Sequence, residues 1–258
     1  MSIGIIRSDP RHPDAVTPDG RTPDGTTPDG TTPDAGTPQA VTLVGGGEIG
    51  ADDIALALAL APILHAADSG AGAALAAGHM PDLVVGDFDS IAPADASRIP
   101  PARRHHVAEQ DSTDFEKALG LARAPFVIAV GFLGERVDHQ LAVLNTLVRH
   151  VGPPVVVLGR RDVIFHLPSR VTLPLEPGER VSLFPLAQVR ARSTGLEWPL
   201  DGLTLAPDGR VGTSNRATGE VTVDPDAPGL LCLLERGRLG DVVAALSSRP
   251  DAASLPPA

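Results

Sequence analysis

Val41-Thr42-Leu43-Val44, followed at once by Gly45-Gly46-Gly47-Glu48-Ile49-Gly50 and then by a helix-like run over residues 52–60, sets the fold class of this chain. A short β-prone run closed by glycines reads as a strand, and the segment after it has helical spacing. The unit recurs downstream. Residues 63–67 read as strand, 71–77 as helix and Leu83-Val84-Val85 as strand; a short strand is expected at His105-His106-Val107, with others at 126–130 and Val155-Val156-Val157-Leu158. Such alternation implies a parallel sheet flanked by helices. Two helices are well punctuated. Thr113 and Glu116 form a capping box that starts one at Asp114, with Pro125 beyond its end; Leu141, Leu144 and Val148 recur at helical spacing in the other, which Gly152-Pro153 stops.

Beyond Phe165 the helical period disappears until the far end of the chain. Arg180-Val181-Ser182-Leu183-Phe184 and Glu220-Val221-Thr222-Val223-Asp224 alternate with a period of two between Pro-Gly, Asp-Gly and Asn-containing turns. The expected fold is therefore α/β: a parallel-sheet, Rossmann-like domain over residues 40–165, followed by a smaller all-β sandwich domain over 166–258. Residues 1–39 stand apart. From Thr17 a five-residue unit recurs as Thr-Pro-Asp-Gly-Arg, Thr-Pro-Asp-Gly-Thr (twice) and Thr-Pro-Asp-Ala-Gly, with no large apolar side chain. A tract of that composition is expected to be a disordered extension.

The 258 residues suffice for a substantial core, and a hydrophobic share of 42% with a charged share of 21% is that of a soluble globular protein. A formal net charge of -11 argues against nucleic acid and against an anionic membrane as partner, since both would be repelled. The single cysteine, Cys232, excludes an internal disulfide and any multi-cysteine zinc site. Met1-Ser2-Ile3-Gly4-Ile5-Ile6-Arg7 lacks the apolar core of a signal peptide, and the apolar stretch over 54–67 is broken by Pro62 and His65. A cytoplasmic location is expected.

Chemistry concentrates in three segments. In Gly86-Asp87-Phe88-Asp89-Ser90 the two carboxylates are two residues apart, so an extended backbone would project both to one side and turn Phe88 to the core. That pair suits a hard cation such as magnesium, which takes a few carboxylate oxygens and leaves positions for water and phosphate. In Asp111-Ser112-Thr113-Asp114 the carboxylates flank a helix start, and Lys117, the only lysine of the chain, lies one turn along. The third segment, Gly134-Glu135-Arg136-Val137-Asp138-His139, follows a strand and brings an arginine and a carboxylate to the same edge. Each has a purely structural counterpart: Asp87 and Asp89 as turn formers, Asp114 and Glu116 as charges answering a helix dipole, Lys117 as a surface partner of Asp114, Asp138-His139 as a helix opening. Their coincidence on successive strand ends favours one metal-phosphate site.

A competing motif lies in Gly45-Gly46-Gly47-Glu48-Ile49-Gly50, a G-x-G-x-x-G between strand and helix with Asp68 about 20 residues on. It would make the protein a dinucleotide-binding oxidoreductase. Such a site does not call for the later carboxylates, whereas a metal-nucleotide site does. A Walker A loop is excluded because Lys117 follows Glu116, not glycine.

The three segments, in this order and spacing, resemble the motifs of the thiamine pyrophosphokinase family. Val181-Ser182-Leu183-Phe184-Pro185-Leu186, Thr194-Gly195-Leu196-Glu197-Trp198-Pro199-Leu200 and Thr213-Ser214-Asn215 resemble that family's β-domain segments. The resemblance implies transfer of the diphosphate of ATP to the hydroxyl of thiamine, leaving AMP, in a magnesium-dependent homodimer with its active site between subunits. It implies an ATP- and magnesium-binding domain over 40–165 and a thiamine-binding domain over 166–258. Residue by residue, it implies Asp68, Asp87 and Asp89 around the metal and diphosphate; Asp111, Asp114 and Lys117 in catalysis, Lys117 also on phosphate; and Arg136 and Asp138 at the ATP phosphates. Ser214 falls in the segment that contacts thiamine. Separately from the resemblance, an aspartate near the metal is expected to take the thiamine hydroxyl proton as general base, with Asp114 preferred among them. Trp198 has two readings, a stacking platform for a thiamine ring or a core aromatic of the β domain. The sequence departs from the family at Ser69 and Gly72 in Ala67-Asp68-Ser69-Gly70-Ala71-Gly72, at Glu135 where glycine is usual, and at Val143 where many members carry asparagine.

Overall fold

Parallel strands buried on both faces need uninterrupted apolar runs, and the sequence supplies them at β1 (Val41–Val44), β5 (Val127–Val130) and β6 (Val155–Leu158), each buried along its whole length. The computed structural model describes residues 38–107, 112–134 and 136–248. The repeat tail and Asp111 lie outside them. Between these strands come α1 (Asp53–Leu58), β2 (Ile63–Ala67), α2 (Gly70–Ala76), β3 (Leu83–Gly86), α3 (Pro93–Arg98), β4 (Arg104–His106), α4 (Asp114–Leu121) and α5 (Val137–Arg149). The strand order β4-β3-β2-β1-β5-β6 is parallel throughout. All of these strands therefore end at one edge, and the order reverses between β1 and β5, where open α/β sheets leave a crevice for ligands.

Capping is as expected. The Glu116 amide donates to Thr113 Oγ1 at 3.2 Å and the Thr113 amide donates to Glu116 Oε2 at 3.1 Å, which fixes the first turn of α4 beside the carboxyl edge. Arg149 at the end of α5 pairs with Glu116 Oε1 at 3.2 Å and ties the two helices together.

The second half is antiparallel: β7 (Asp162–Leu167), β8 (Val171–Leu173), β9 (Arg180–Pro185), β10 (Val189–Leu196), β11 (Thr204–Leu205), β12 (Gly212–Pro225) and β13 (Leu230–Glu235), closed by α6 (Leu239–Ser247). The sequence led us to expect a parallel sheet followed by a separate sandwich dividing at Phe165. The observed sheet is mixed and runs through that position without a break. Phe165 pairs with Val156 of β6 on one side and with Cys232 of β13 on the other. The cause is the tight Gly159-Arg160-Arg161 turn, which folds β7 back on β6 as a hairpin and carries the parallel sheet on into β13, β9 and β12. The sandwich character comes from β12, whose 14 residues serve two layers. Its first part pairs with β9 and its last part with β8 and β10. The largest apolar cluster accordingly spans both halves, from Ile128 and Val156 through Phe165 and Leu183 to Val221 and Leu246. Among the described residues no helix is long and apolar enough to cross a membrane.

Candidate active site

Asp68 follows β2 directly, and Asp87 follows β3. Because those strands are parallel neighbours, their next residues meet at the carboxyl edge. The approach is close: a Cβ added at Gly86, whose φ is +156°, would sit 3.1 Å from Asp68 Cβ, so a side chain there would push the two strand ends apart. The Asp68 amide donates to Val85 O at 2.9 Å, and its backbone adopts a φ of +46°, unusual for a non-glycine residue. Ligand oxygens of Asp68, Asp87 and Asp89 all lie within 4.8 Å of one another.

The route by which Asp87 and Asp89 converge differs from the expected extended alternation. Phe88 has a φ of +66°, and the Asp89 amide donates to Asp87 Oδ1 at 3.1 Å. This is an Asx-turn, a local side-chain bond that replaces strand geometry and costs backbone strain at a bulky residue. Phe88 still packs, half-buried, against a small core cluster containing Val84, Ile91 and Ile99, and it stacks on His106 of β4 with ring centroids 6.0 Å apart.

Electrostatically the cluster is under tension. Burial pushes the Asp68 carboxyl above the usual carboxylate range, partly offset by the Ser90 hydroxyl that donates to Oδ2, while Asp114 and Asp87 push it further up and Lys117 pulls it down. Asp89 is raised by its hydrogen bond to Asp87 and by that neighbour's charge. Asp68 Oδ1 is buried and accepts no hydrogen bond among the described residues. An orphaned buried carboxylate oxygen facing two more carboxylates fits a divalent cation with hard oxygen ligands. Lys117 supplies the opposite charge. Its side chain is only 5% exposed, and Nζ stands 3.7 Å from Asp114 Oδ1.

Other residues singled out in the sequence group differently. Arg136 and Asp138 form an exposed two-pronged pair with each other, 2.6 Å at the shorter contact, and the guanidinium holds the Asp138 carboxyl down at about 2. Asp111 lies outside the described residues. Ser214 and Trp198 are brought together by Asn215, to which the sequence reading assigns no role of its own. Asn215 is 4% exposed, accepts from the Trp198 amide at 3.2 Å and from the Arg216 amide at 2.8 Å, and donates to Trp198 O at 2.7 Å. Ser214 adopts a φ of +60° in the β12 bulge, its amide donating to Ser182 Oγ at 3.0 Å. Trp198 is 53% exposed, which removes its reading as a core aromatic. Ser90 also gains a role, as the donor that orients Asp68; its place in Gly86-Asp87-Phe88-Asp89-Ser90 was its only signal.

Asn215→Ala leaves two backbone amides and a carbonyl without their partner, so we expect a loss of about 2–3 kcal/mol in urea unfolding. Trp198 is the only tryptophan, and its emission reports on the segment directly. A midpoint unchanged from the parent would show that water replaces these bonds at no cost.

The glycine loop does not offer a pyrophosphate cradle. Gly45, Gly47 and Glu48 donate their amides to Val130 O, Gly131 O and Leu133 O at 2.8, 2.7 and 2.9 Å. The Gly50 amide donates to Asp53 Oδ2 at 2.8 Å, so a protein carboxylate stands at the entrance to α1. The glycines are explained by packing: a Cβ at Gly46 would lie 1.9 Å from Ser69 Oγ, and one at Gly45 2.6 Å from Gly131 O.

Comparison with known proteins adds to this geometry. Residues 55–157 match the family described as thiamin pyrophosphokinase, catalytic domain, and residues 168–230 match thiamin pyrophosphokinase, vitamin B1 binding domain. Thiamine pyrophosphokinase 1 of Oryza sativa subsp. japonica is 29% identical over 170 residues, 57% of this chain and 64% of that protein. The chain thus spans less than two thirds of the length of that relative. The crystal structure of thiamine pyrophosphokinase from Bacillus subtilis superposes with a TM-score of 0.64 at 24% identity, covering 76% of this chain and 98% of that one. For thiamin pyrophosphokinase from Candida albicans the TM-score is 0.65 at 18% identity, over 77% and 89% of the two chains. At these identities the structural likeness is one of fold.

Proposed function

Because the chain belongs to the thiamin pyrophosphokinase family, we propose that it transfers the diphosphate of ATP to the hydroxyl of thiamine. The thiamine hydroxyl oxygen attacks the β-phosphorus, the bond from that phosphorus to the oxygen bridging it to the α-phosphorus breaks, and AMP leaves with that oxygen. The observation that carries this reading is the meeting of Asp68, Asp87 and Asp89 at the carboxyl edge, with a buried Lys117 electrostatically coupled to the cluster.

Asp68, Asp87 and Asp89 are the residues to hold magnesium, which when bound supplies charge neutralisation and orientation of phosphate oxygens. Lys117 stabilises charge developing on the transferred group, and Asp114, 47% exposed and in contact with Lys117, takes the hydroxyl proton. Asp111 belongs to the same motif and to the same catalytic assignment. Arg136 and Asp138 are assigned to the ATP phosphates; in this reading Arg136 exchanges its carboxylate partner for phosphate. Ser214 and Trp198 are assigned to thiamine, with the exposed indole face as a platform for its ring. Residues 40–165 are assigned to ATP and magnesium and 166–258 to thiamine, as two parts of one continuous sheet.

A homodimer completes the reading. Val137 and Leu141, one turn apart on α5 and 65% and 58% exposed, give it an apolar surface beside Arg136. Cytoplasmic residence agrees with the single, buried cysteine.

The test is AMP release from ATP and magnesium with and without thiamine. Thiamine-dependent AMP formation is expected. ATP turnover indifferent to thiamine, or thermal protection by NAD but not by ATP with magnesium, would sink the assignment.

A further inference from the structure

Away from the carboxylate cluster, on the far side of the point where the strand order reverses, the sheet edge carries a cavity of about 560 Å³ walled by Arg160, Arg161, Arg180 and Arg236, with Asp162 and Glu235. Three separate segments build it: the β6–β7 turn gives Arg160 and Arg161, the start of β9 gives Arg180, and the end of β13 leads to Arg236. We propose that this is a second ligand site, for a phosphate-bearing anion. It does not rest on the reading of the carboxylate cluster.

Three of the guanidiniums are held in place by protein carboxylates. Arg180 pairs with Asp162, Arg236 Nη2 stands 2.7 Å from Asp53 Oδ1 while its Nη1 donates to Gly159 O at 3.1 Å, and Arg160 Nη1 stands 3.3 Å from Glu48 Oε1. A salt-bridge network alone would account for those three. It does not account for Arg161, an exposed residue of the lining whose guanidinium has no partner among the described residues, nor for the open volume. Each guanidinium carries five N–H donors in a fixed fork, so one carboxylate contact leaves others to give. In the lining itself guanidiniums outnumber carboxylates four to two, and although Asp53 and Glu48 hold two of them from outside it, Arg161 keeps its charge and all its donors for a ligand. The hollow is open to solvent and wide enough to seat a phosphate group, and guanidinium forks match phosphate oxygens in pairs.

Asp68 follows β2, and the arginine turn follows β6, three strand spacings away at roughly 14 Å. The phosphate could therefore belong to a nucleotide or to free pyrophosphate. Calorimetry of the full chain with AMP and with inorganic pyrophosphate, both in EDTA so that no divalent cation recruits phosphate to the carboxylates, separates the two sources. Saturable one-to-one binding is expected, weakened roughly tenfold or more in Arg161→Ala and kept in Asp87→Asn. Tighter AMP assigns a nucleotide, tighter pyrophosphate a free diphosphate. No saturable binding of either, equal binding in Arg161→Ala, or loss in Asp87→Asn overturns the proposal. Arg161 is exposed and its guanidinium is unpaired among the described residues, so its removal leaves the unliganded melting temperature as a check that folding is intact.

Discussion

On the proposed function, Asp87→Asn is expected to lower thiamine-dependent AMP release by on the order of 10³-fold, the several kcal/mol that a metal-held charge contributes to a phosphoryl transition state. The substitution keeps shape. Asn retains the oxygen that accepts from the Asp89 amide, so the Asx-turn that sets Phe88 at its positive φ survives. What it removes is one of three negative charges whose oxygens lie within 4.8 Å. In the metal-free protein that removal relieves repulsion, since Asp87 raises both Asp68 and Asp89. The variant is therefore expected to melt at or slightly above the parent in EDTA while losing the increment that magnesium gives the parent. A purely structural Asp87 predicts the opposite pattern, with a lower melting temperature and near-normal turnover. Assay and melting curve together separate the two.

How much of this was legible beforehand differs between fold and site. The α/β alternation shows in the residues themselves, because runs such as Val155-Val156-Val157-Leu158 have no polar face to give to solvent and must be buried on both sides. The capping box at Thr113 and Glu116 is equally local, and it appears as read. The continuity of the sheet at Phe165 was hidden. A hairpin and a domain junction both place turn residues between two apolar runs, and only the partner strand β13, whose Cys232 pairs with Phe165 from far downstream in sequence, tells them apart.

Within the site, spacing indicated that Asp87 and Asp89 share a side, but not how. A period-two reading assumes backbone bonds dominate, whereas here a side-chain acceptor captures the Asp89 amide and turns the chain. Arg136 and Asp138, read as joining the common edge, bond each other at the start of α5, because two residues suffice for a guanidinium to reach a carboxylate there. The arginine cavity was not legible at all, since its walls come from segments that only the antiparallel half of the sheet brings together.

The second large effect concerns Lys117. Its side chain is nearly buried, which for an ammonium group is costly unless negative charge surrounds it. Asp114 at 3.7 Å is one such charge, and the fields of Asp68 and Asp89 are others. Lys117→Ala therefore acts in two directions. The remaining carboxylates repel one another more and hold a divalent cation at least as tightly, so the magnesium concentration giving half-maximal rate is expected to stay level or fall. On the proposed function the substitution also removes a positive charge from the transferred phosphates, so kcat is expected to drop by about 10²- to 10³-fold. Lys117→Arg restores the charge, yet a planar fork cannot occupy the space of a compact ammonium, and recovery is expected to be slight. If instead Lys117→Ala raised the magnesium requirement with kcat preserved, Lys117 would be organising the carboxylates and not contacting the reacting phosphates.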